Sequence, residues 1–570
     1  MINYMPERFT FQMEPHGSGG FAKVVKGRDN TLERNIAVKV LDPLVKAFQE
    51  TLLYGIILML FFSPATRAAD GTPIWTNYFN GSIGDTATAI GLDSNGNVVV
   101  TGYIHNSSGD IGYGTVKYSS AGVPLWTNLF NRFKGFESNA KGLAVDSSGN
   151  VYVTGNSSAP SSGDDYATIK YSGAGVPLWT NIYNGAGNGN DFATPVAVDD
   201  NGNVFVTGYA TGIGSGVDYA TIKYSSTGVP LWTNIFNGAG NGNDSATSLA
   251  LDSGGNVIVT GRATGSGSGY DYATIKYSGA GVPLWTNIYN GDGNGNDFAK
   301  AVAVDDNGNV FVTGYATGIG SGFDYATIKY SSAGVPLWTN IFNGAGNGND
   351  SATSLALDSG GNVIVTGTAV GRGSGYDYAT IKYSSAGMPL WTNIFNGAGN
   401  SSDIAAGLAL DESGNVYVTG YSTLIGGRYV YATIKYSNAG VPIWTNLFDL
   451  GGNNFSRAYA LAVDGTGNVY VTGHSGNTYQ NFSTIKYSGP APANSTPLSF
   501  ITTNSNFGFT NNQFSILLTG PAGSNAVISA STNLQIWVPL LTNPLTGGTL
   551  AFTDALATNF TRRFYRAALQ

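Results

Sequence analysis

The stretch NDSATSLALDSGGNVIVTGRATGSGSGYDYATIKYSGAGVPLW, residues 243 to 285, reads as one complete structural unit. Two strand-like runs, Ser248 to Leu251 and Asn256 to Thr260, flank Asp252-Ser253-Gly254-Gly255. In such a turn Asp bonds the backbone and Gly takes positive φ, so the pair forms a hairpin. A third run, Tyr272 to Tyr277, passes through Ser-Gly-Ala-Gly-Val-Pro into a fourth, Leu284 to Tyr289. That second Gly/Pro turn is also tight, and the stretch predicts a four-stranded antiparallel meander.

The unit recurs. Trp-Thr-Asn appears at Trp75, Trp126, Trp179, Trp232, Trp285, Trp338, Trp391 and Trp444, spaced once by 51 residues and then by 53. A fixed period of this length marks a repeat architecture, and four antiparallel strands per repeat is the signature of a propeller blade. Parallel β-helices would not place a hairpin in every unit. The turn Asp-x-x-Gly-Asn occurs in all eight units, from Asp93 to Asp464. The last unit ends its third strand at Ser483-Thr-Ile-Lys-Tyr487 with no Trp strand of its own, while the array opens on a spare one, Pro73 to Phe79. The surplus matches the deficit, which predicts an all-β, eight-bladed propeller closed by its N-terminal strand. Seven blades would follow only if one end unit is displaced. An open solenoid would instead need polar caps at both ends.

Leu-Ala-Val-Asp-x-x-Gly-Asn-Val-Tyr-Val-Thr-Gly, as at 143 to 155, is similar to the bacterial β-propeller repeat family called SBBP, over residues 71 to 489. The resemblance implies the propeller fold, in a family read as seven-bladed. Residues 192–224 nearly duplicate 298–330, and 244–277 nearly duplicate 350–383, so the array grew by copying pairs of blades. Near-identical blades suit repeated contacts and avidity.

Composition narrows the chemistry. With 27 Lys and Arg against 35 Asp and Glu, a net charge of −8 argues against nucleic acid as a partner. No Cys and only three His (His16, His105, His474) leave neither thiolate nor imidazole clusters for a transition metal. No cofactor is expected.

Within each repeat the Trp strand alternates, so both of its sides are expected to face neighbouring blades, with Trp structural. A Lys recurs in the third strand (Lys117, Lys170, Lys223, Lys276, Lys329, Lys382, Lys435, Lys486), matched by the turn aspartates Asp93, Asp146, Asp199, Asp252, Asp305, Asp358, Asp411 and Asp464. A Lys in an apolar strand needs a partner, which predicts a repeated Lys to Asp contact; the alternative is Lys reaching water from a blade edge. The long loops, such as 237–244 and 263–271, share one face and make it the expected binding face. Their Asn188, Asn190 and Asp191 permit a Ca²⁺ reading, but without the alternating Asp and distal Glu of a known loop they read as turn chemistry. His105, Arg132, Arg428, Arg457 and His474 read as ordinary surface residues.

Residues 8–43 resemble the start of a serine/threonine protein kinase. Gly17-Ser-Gly19-Gly-Phe-Ala-Lys-Val24 is similar to the Gly-rich loop and Ile36-Ala-Val-Lys39 to the strand carrying the phosphate-pairing Lys. The resemblance implies nucleotide contacts at Gly17, Gly19 and Lys39. No catalytic loop or metal motif follows, so a truncated relic, a fusion or a mistaken start is expected, not a kinase. The apolar run Leu52 to Phe62, followed by small residues at Thr66 and Ala68, fits a signal-peptide core, with a mature start near Ala69 or Asp70; uncleaved, 52–62 would be the only membrane contact.

The expected organisation is therefore a kinase-like segment (1–50), a signal-like segment (51–69), a propeller (70–489), a Pro/Ser linker (490–499) and a small C-terminal β-sandwich-like domain (500–570). The last resembles C-terminal modules of exported bacterial proteins, which implies surface retention. The expected function is an exported, monomeric, non-catalytic scaffold, secreted or at the cell surface, that meets extracellular carbohydrate or protein through its long-loop face. The alternatives are a propeller enzyme acting on polysaccharide, which needs paired acids or His at the channel mouth, and the remnant of a kinase-linked sensor.

Overall fold

In the computed structural model of the chain, residues 70–79, 84–106, 108–449, 455–476 and 480–489 of the array are described, with the strands 9–12, 22–29 and 34–41 before it and residues 499–501, 508–510, 513–520, 525–532, 537–560 and 563–569 after it. Asp70–Pro490 forms one compact unit. It contains eight four-stranded antiparallel sheets. In the fourth, Ser245–Leu251, Val257–Thr264, Tyr270–Tyr277 and Pro283–Tyr289 follow one another in order. The meander is as expected, with strands a few residues longer than the apolar runs.

First strands of consecutive blades, such as Phe192–Val198 and Ser245–Leu251, pack side by side around the ring and so line its central channel. The Trp strands lie outermost. Between every two blades sits an apolar core; Phe205, Tyr219, Val257, Val259 and Ile275 build the one between the third and fourth. Each core buries several aliphatic and aromatic side chains at about 1.5–3 kcal/mol apiece, so the interfaces supply most of the cohesion.

The ring closes as the unequal ends require. Pro73–Phe79 pairs antiparallel with Asn481–Tyr487, placing Trp75 opposite Lys486 and Thr76 opposite Ile485. The completed eighth blade then packs on the first, where Trp75, Phe79, Tyr470 and Phe482 meet Ala87, Val98, Val100 and Val116. Even the turn between third and fourth strands is rebuilt from two distant pieces. In an intact blade Ser331 N donates to Val335 O at 2.8 Å and Gly334 N to Ser331 O at 2.9 Å. At the closure Ser488 N donates to Thr72 O and Gly71 N to Ser488 O, both at 2.8 Å.

One expectation about the Trp strand is corrected. Trp, Asn and the following Phe or Tyr face the next blade, but the opposite side of the strand looks outward, leaving Leu231 and Ile235 about half exposed at 52% and 51%. An outermost strand has a neighbour on only one face.

Of the strands outside the propeller, Phe9–Gln12, Ala22–Asp29 and Arg34–Leu41 form an antiparallel three-stranded sheet. The C-terminal strands form two antiparallel sheets around a core of Phe514, Ile516, Leu518, Ile528 and Tyr565, with Phe514 stacked on Tyr565 at 4.7 Å. That is a sandwich in miniature.

Candidate functional site

The repeated polar residues are consumed by the frame. The Trp285 indole N–H donates to Ser332 O at 3.1 Å, and the Asn287 amide donates to Gly334 O at 2.8 Å, so one Trp-Thr-Asn clasps the next blade's turn. Gly334 sits at φ +83° against that indole, and a Cβ there would lie 2.7 Å from the ring. At the ring junction Trp444 and Asn446 make the same clasp on Asp70 Oδ1 and Gly71 O, at 3.1 and 2.6 Å.

The third-strand lysines are buried, not at a blade edge, and each takes one of two settings chosen by its cross-strand partner. Opposite Val99, Ile258 and Ile364, the amines of Lys117, Lys276 and Lys382 pair with Asp93, Asp252 and Asp358 at 2.8 to 2.9 Å. Opposite Tyr152, Phe205, Phe311, Tyr417 and Tyr470, the amine instead lies over that ring at 4.8 to 5.1 Å. The tyrosines then reach the acid themselves: Tyr152, Tyr417 and Tyr470 donate to Asp146, Asp411 and Asp464. The expected ring of Lys to Asp pairs is thus replaced by cation–π contacts wherever an aromatic blocks the path. Lys435 also pairs with Asp70, at 2.7 Å.

The long loops bond mainly to themselves and their neighbours. Asn188, at φ +52°, accepts from the Asn184 amide at 2.7 Å and donates to Ser161 O at 2.9 Å. Asn190 Oδ1 accepts from Asp164 N, and the buried Asp191 accepts from Gly185 N and Thr211 N at 2.5 and 2.7 Å. These residues serve as turn chemistry. Burial pushes the Asp191 carboxyl up to about 6, and raises Asp244, Asp297 and Asp350 in the same place of their repeats. A second buried acid stands beside three of them, Asp218 near Asp244, Asp271 near Asp297 and Asp324 near Asp350, and Asp377 is placed likewise near Asp403; these second acids are also raised by burial and accept a Ser hydroxyl on one oxygen while the other has no hydrogen-bond partner. Paired acids therefore exist, buried between blades. A cleft of about 300 Å³ opens beside Asp271, bounded by Gly238, Thr264, Ile288, Asn290 and Asn294. Among the described residues there is no group of three or more His, Asp and Glu placed to hold a metal.

What the repeat does not consume gathers at the long-loop ends of the first, second and third strands. Arg262 stands over the rings of Tyr270 and Phe298 at 4.5 and 4.6 Å, and Lys300 over Phe298 and Tyr315 at 5.5 and 5.7 Å. Phe323 continues the row from Tyr315, and the stacked pair Phe192 and Tyr209 precedes it. A second group forms where Arg457 lies 4.8 Å from both Tyr421 and Tyr429, with Phe455 on Tyr429 and Tyr459 on His474. Lys141 lies over Tyr103 at 5.9 Å.

The residues read as ordinary surface therefore need correction. His474 is buried, and burial with nearby Arg457 holds it down to about 4, so it is neutral at pH 7. Arg132 pairs with Asp165 at 2.5 Å, Arg428 with Asp449 at 2.7 Å, and His105 lies 3.7 Å from Asp85. Arg262, Lys300 and Lys141 were not singled out from sequence, though a signal was there: where other repeats carry Tyr103 or Thr88, these positions carry a cation. Gly17 and Gly19 lie outside the described residues; Lys39 lies in the strand Arg34–Leu41, its backbone opposite Val24.

Residues 137–160, 286–320 and 391–424 match the SBBP beta-propeller repeat. An uncharacterized WD repeat-containing protein of Acanthamoeba polyphaga mimivirus is 25% identical over 469 residues, 71% of this chain and 30% of that protein, so the chain spans under a third of its relative. Among solved structures, a eukaryotic initiation factor is 10% identical with a TM-score of 0.39, covering 84% of this chain and 100% of that one. The polysaccharide lyase ulvan lyase is 12% identical with a TM-score of 0.38, over 72% of this chain and 96% of its own.

Proposed function

We propose that the protein is an exported, non-catalytic propeller that binds extracellular carbohydrate or protein through its long-loop face and acts as a scaffold at the cell surface. The observation that carries this reading is the row of half-buried aromatic rings along the inner rim of that face, in a molecule whose repeated Trp, Lys and turn Asp are spent on holding blades together. Rings of this kind offer flat apolar surface at little entropic cost, which suits recognition. The paired acids are buried, with Asp271 the one that borders the described cleft, and a hydrolytic role needs both an acid and a base that reach substrate.

Export rests on the apolar run 52–62 and the small residues after it, with Asp70 already inside the folded ring. Two measurements test the reading on the full-length gene product. N-terminal sequencing of protein recovered from the medium or cell surface should give a start at Ala69 or Asp70; retention inside the cell with Met1 intact would defeat the export half. A glycan and matrix-protein array should show saturable binding, and a blank array would defeat the binding half.

A further inference from the structure

Four cations, Arg262, Lys300, Arg457 and Lys141, stand at the inner rim of the long-loop face with an aromatic ring beside each. Among the described residues none of the four has a carboxylate within ion-pair distance, whereas Arg132, Arg428 and several third-strand lysines do. That is unusual in a chain with 35 acids and 27 bases. Arg262 and Lys300 are also close enough that burial, and then the Arg262 charge, lower the Lys300 pKa. Two adjacent cations without a counter-charge destabilise the folded chain, and an anion seated beside them would relieve the repulsion.

The rings supply the other half of a ligand description. Phe192, Tyr209, Tyr270, Phe298, Tyr315 and Phe323 come from the third, fourth and fifth blades and are all half-buried, so they form an extended apolar track and not a closed pocket. Sugar rings present an apolar C–H face and, in acidic polysaccharides, a carboxylate or sulfate at its edge. An extended track with cations at intervals matches that alternation. Nucleic acid is disfavoured by the overall charge of −8.

We infer that the aromatic and basic belt centred on Arg262, Phe298 and Lys300 is a binding site for an acidic polysaccharide. This rests on the binding reading above and narrows it to a site and a ligand class. The Arg457, Tyr421 and Tyr429 group offers a second foothold for the same chain, which would raise the apparent affinity through avidity.

The test is affinity electrophoresis and calorimetry of the full chain with polygalacturonate, dextran sulfate and neutral dextran. Polygalacturonate or dextran sulfate should bind, more weakly as salt rises, and neutral dextran should not. Arg262→Gln combined with Lys300→Gln should weaken binding by about tenfold or more, the loss expected for one charge-assisted hydrogen bond. Arg262→Lys, which keeps the charge, should retain most of it, and Arg372→Gln, on an exposed loop of the same face, should change nothing. Matching near-ultraviolet circular dichroism and melting temperature would establish that the double variant is folded. Unchanged binding by that folded variant, or equal binding of neutral dextran, would overturn the site and leave the scaffold reading standing. Failure to bind any of the three polymers would overturn the ligand class, and the array then decides the scaffold reading by itself.

Discussion

A single indole does two jobs in each blade. Trp285 donates its N–H to the next blade's turn and presses its ring against Gly334, which leaves room for no side chain there. Gly334 is required twice over, by its φ of +83° and by a ring that a Cβ would meet at 2.7 Å. Gly334→Ala should therefore cost more than backbone strain alone, about 2–4 kcal/mol. Gly267, which also has positive φ but open space around it, should cost only about 1 kcal/mol on the same change. Denaturant unfolding of the two variants checks the difference, and equal losses would mean the clasp contributes nothing. The Lys settings follow the same local logic. A methyl-bearing partner lets the amine reach the turn Asp, while an aromatic one catches it on the way. The Lys and Asp repeats are visible in the sequence, but their pairing depends on which residue stands opposite in the register, and register exists only in the sheet.

The closing strand is the one element whose loss the ring cannot share among its blades. Removing Pro73–Phe79 would leave Asn481–Tyr487 as an unpaired edge and the last core without Trp75 and Phe79. The junction carries its own lock. In intact blades a Lys and a Trp donate to one carbonyl of the next turn, as Lys329 and Trp338 do to Ser385 O at 2.9 and 3.2 Å. At the seam that carbonyl is replaced by the Asp70 carboxylate, which accepts from Lys435 at 2.7 Å and Trp444 at 3.1 Å. Asp70→Ala should strip the carboxylate from a Lys that is 1% exposed and cost about 2–4 kcal/mol, discounted for the partly exposed Asp. Asp70→Asn should recover part of it, since the amide oxygen still accepts. Thermal melts of both variants, with faster proteolysis near residues 70–79 in the alanine variant, report the seam; unaltered melting would show that strand pairing alone closes the ring. The need for a closing strand was legible in the spare Trp strand at Trp75. That the split turn is rebuilt atom by atom was not, because residues 71 and 488 meet only when the ring shuts.

Across the whole molecule two populations of acids set opposite pH limits. For Asp93, Asp252 and Asp358, burial works to raise the pKa but is outweighed by hydrogen bonds from Lys117, Lys276 and Lys382 and from the turn Asn, so the net shift is downward from 3.8. Their stabilisation is complete above 3.8 and is lost as pH falls through the depressed folded values. Asp191 is raised by burial to about 6, and Asp244, Asp297 and Asp350 are raised likewise. The folded chain holds protons there that the unfolded chain releases, so this contribution is complete below 3.8 and is lost as pH rises through about 6. The melting temperature should therefore peak near 3.8, fall as pH rises toward about 6 and level off above it, and fall again as pH drops below 3.8. Asp191→Asn should flatten the alkaline decline by its share, as calorimetry across that range would show; a steady rise toward neutral pH would contradict the assignment.

The sequence alone determined the blade, the count and the closure, because period, turn chemistry and unequal ends are all written along the chain in order. The tertiary structure decided the rest. Which lysines pair and which stack follows from cross-strand register. Which acids are buried follows from how each linker folds between two blades. The belt joins Arg262 to Phe298 and Lys300, residues about 40 positions apart on neighbouring blades, and side chains so separated become neighbours only once the sheets stand side by side around the channel.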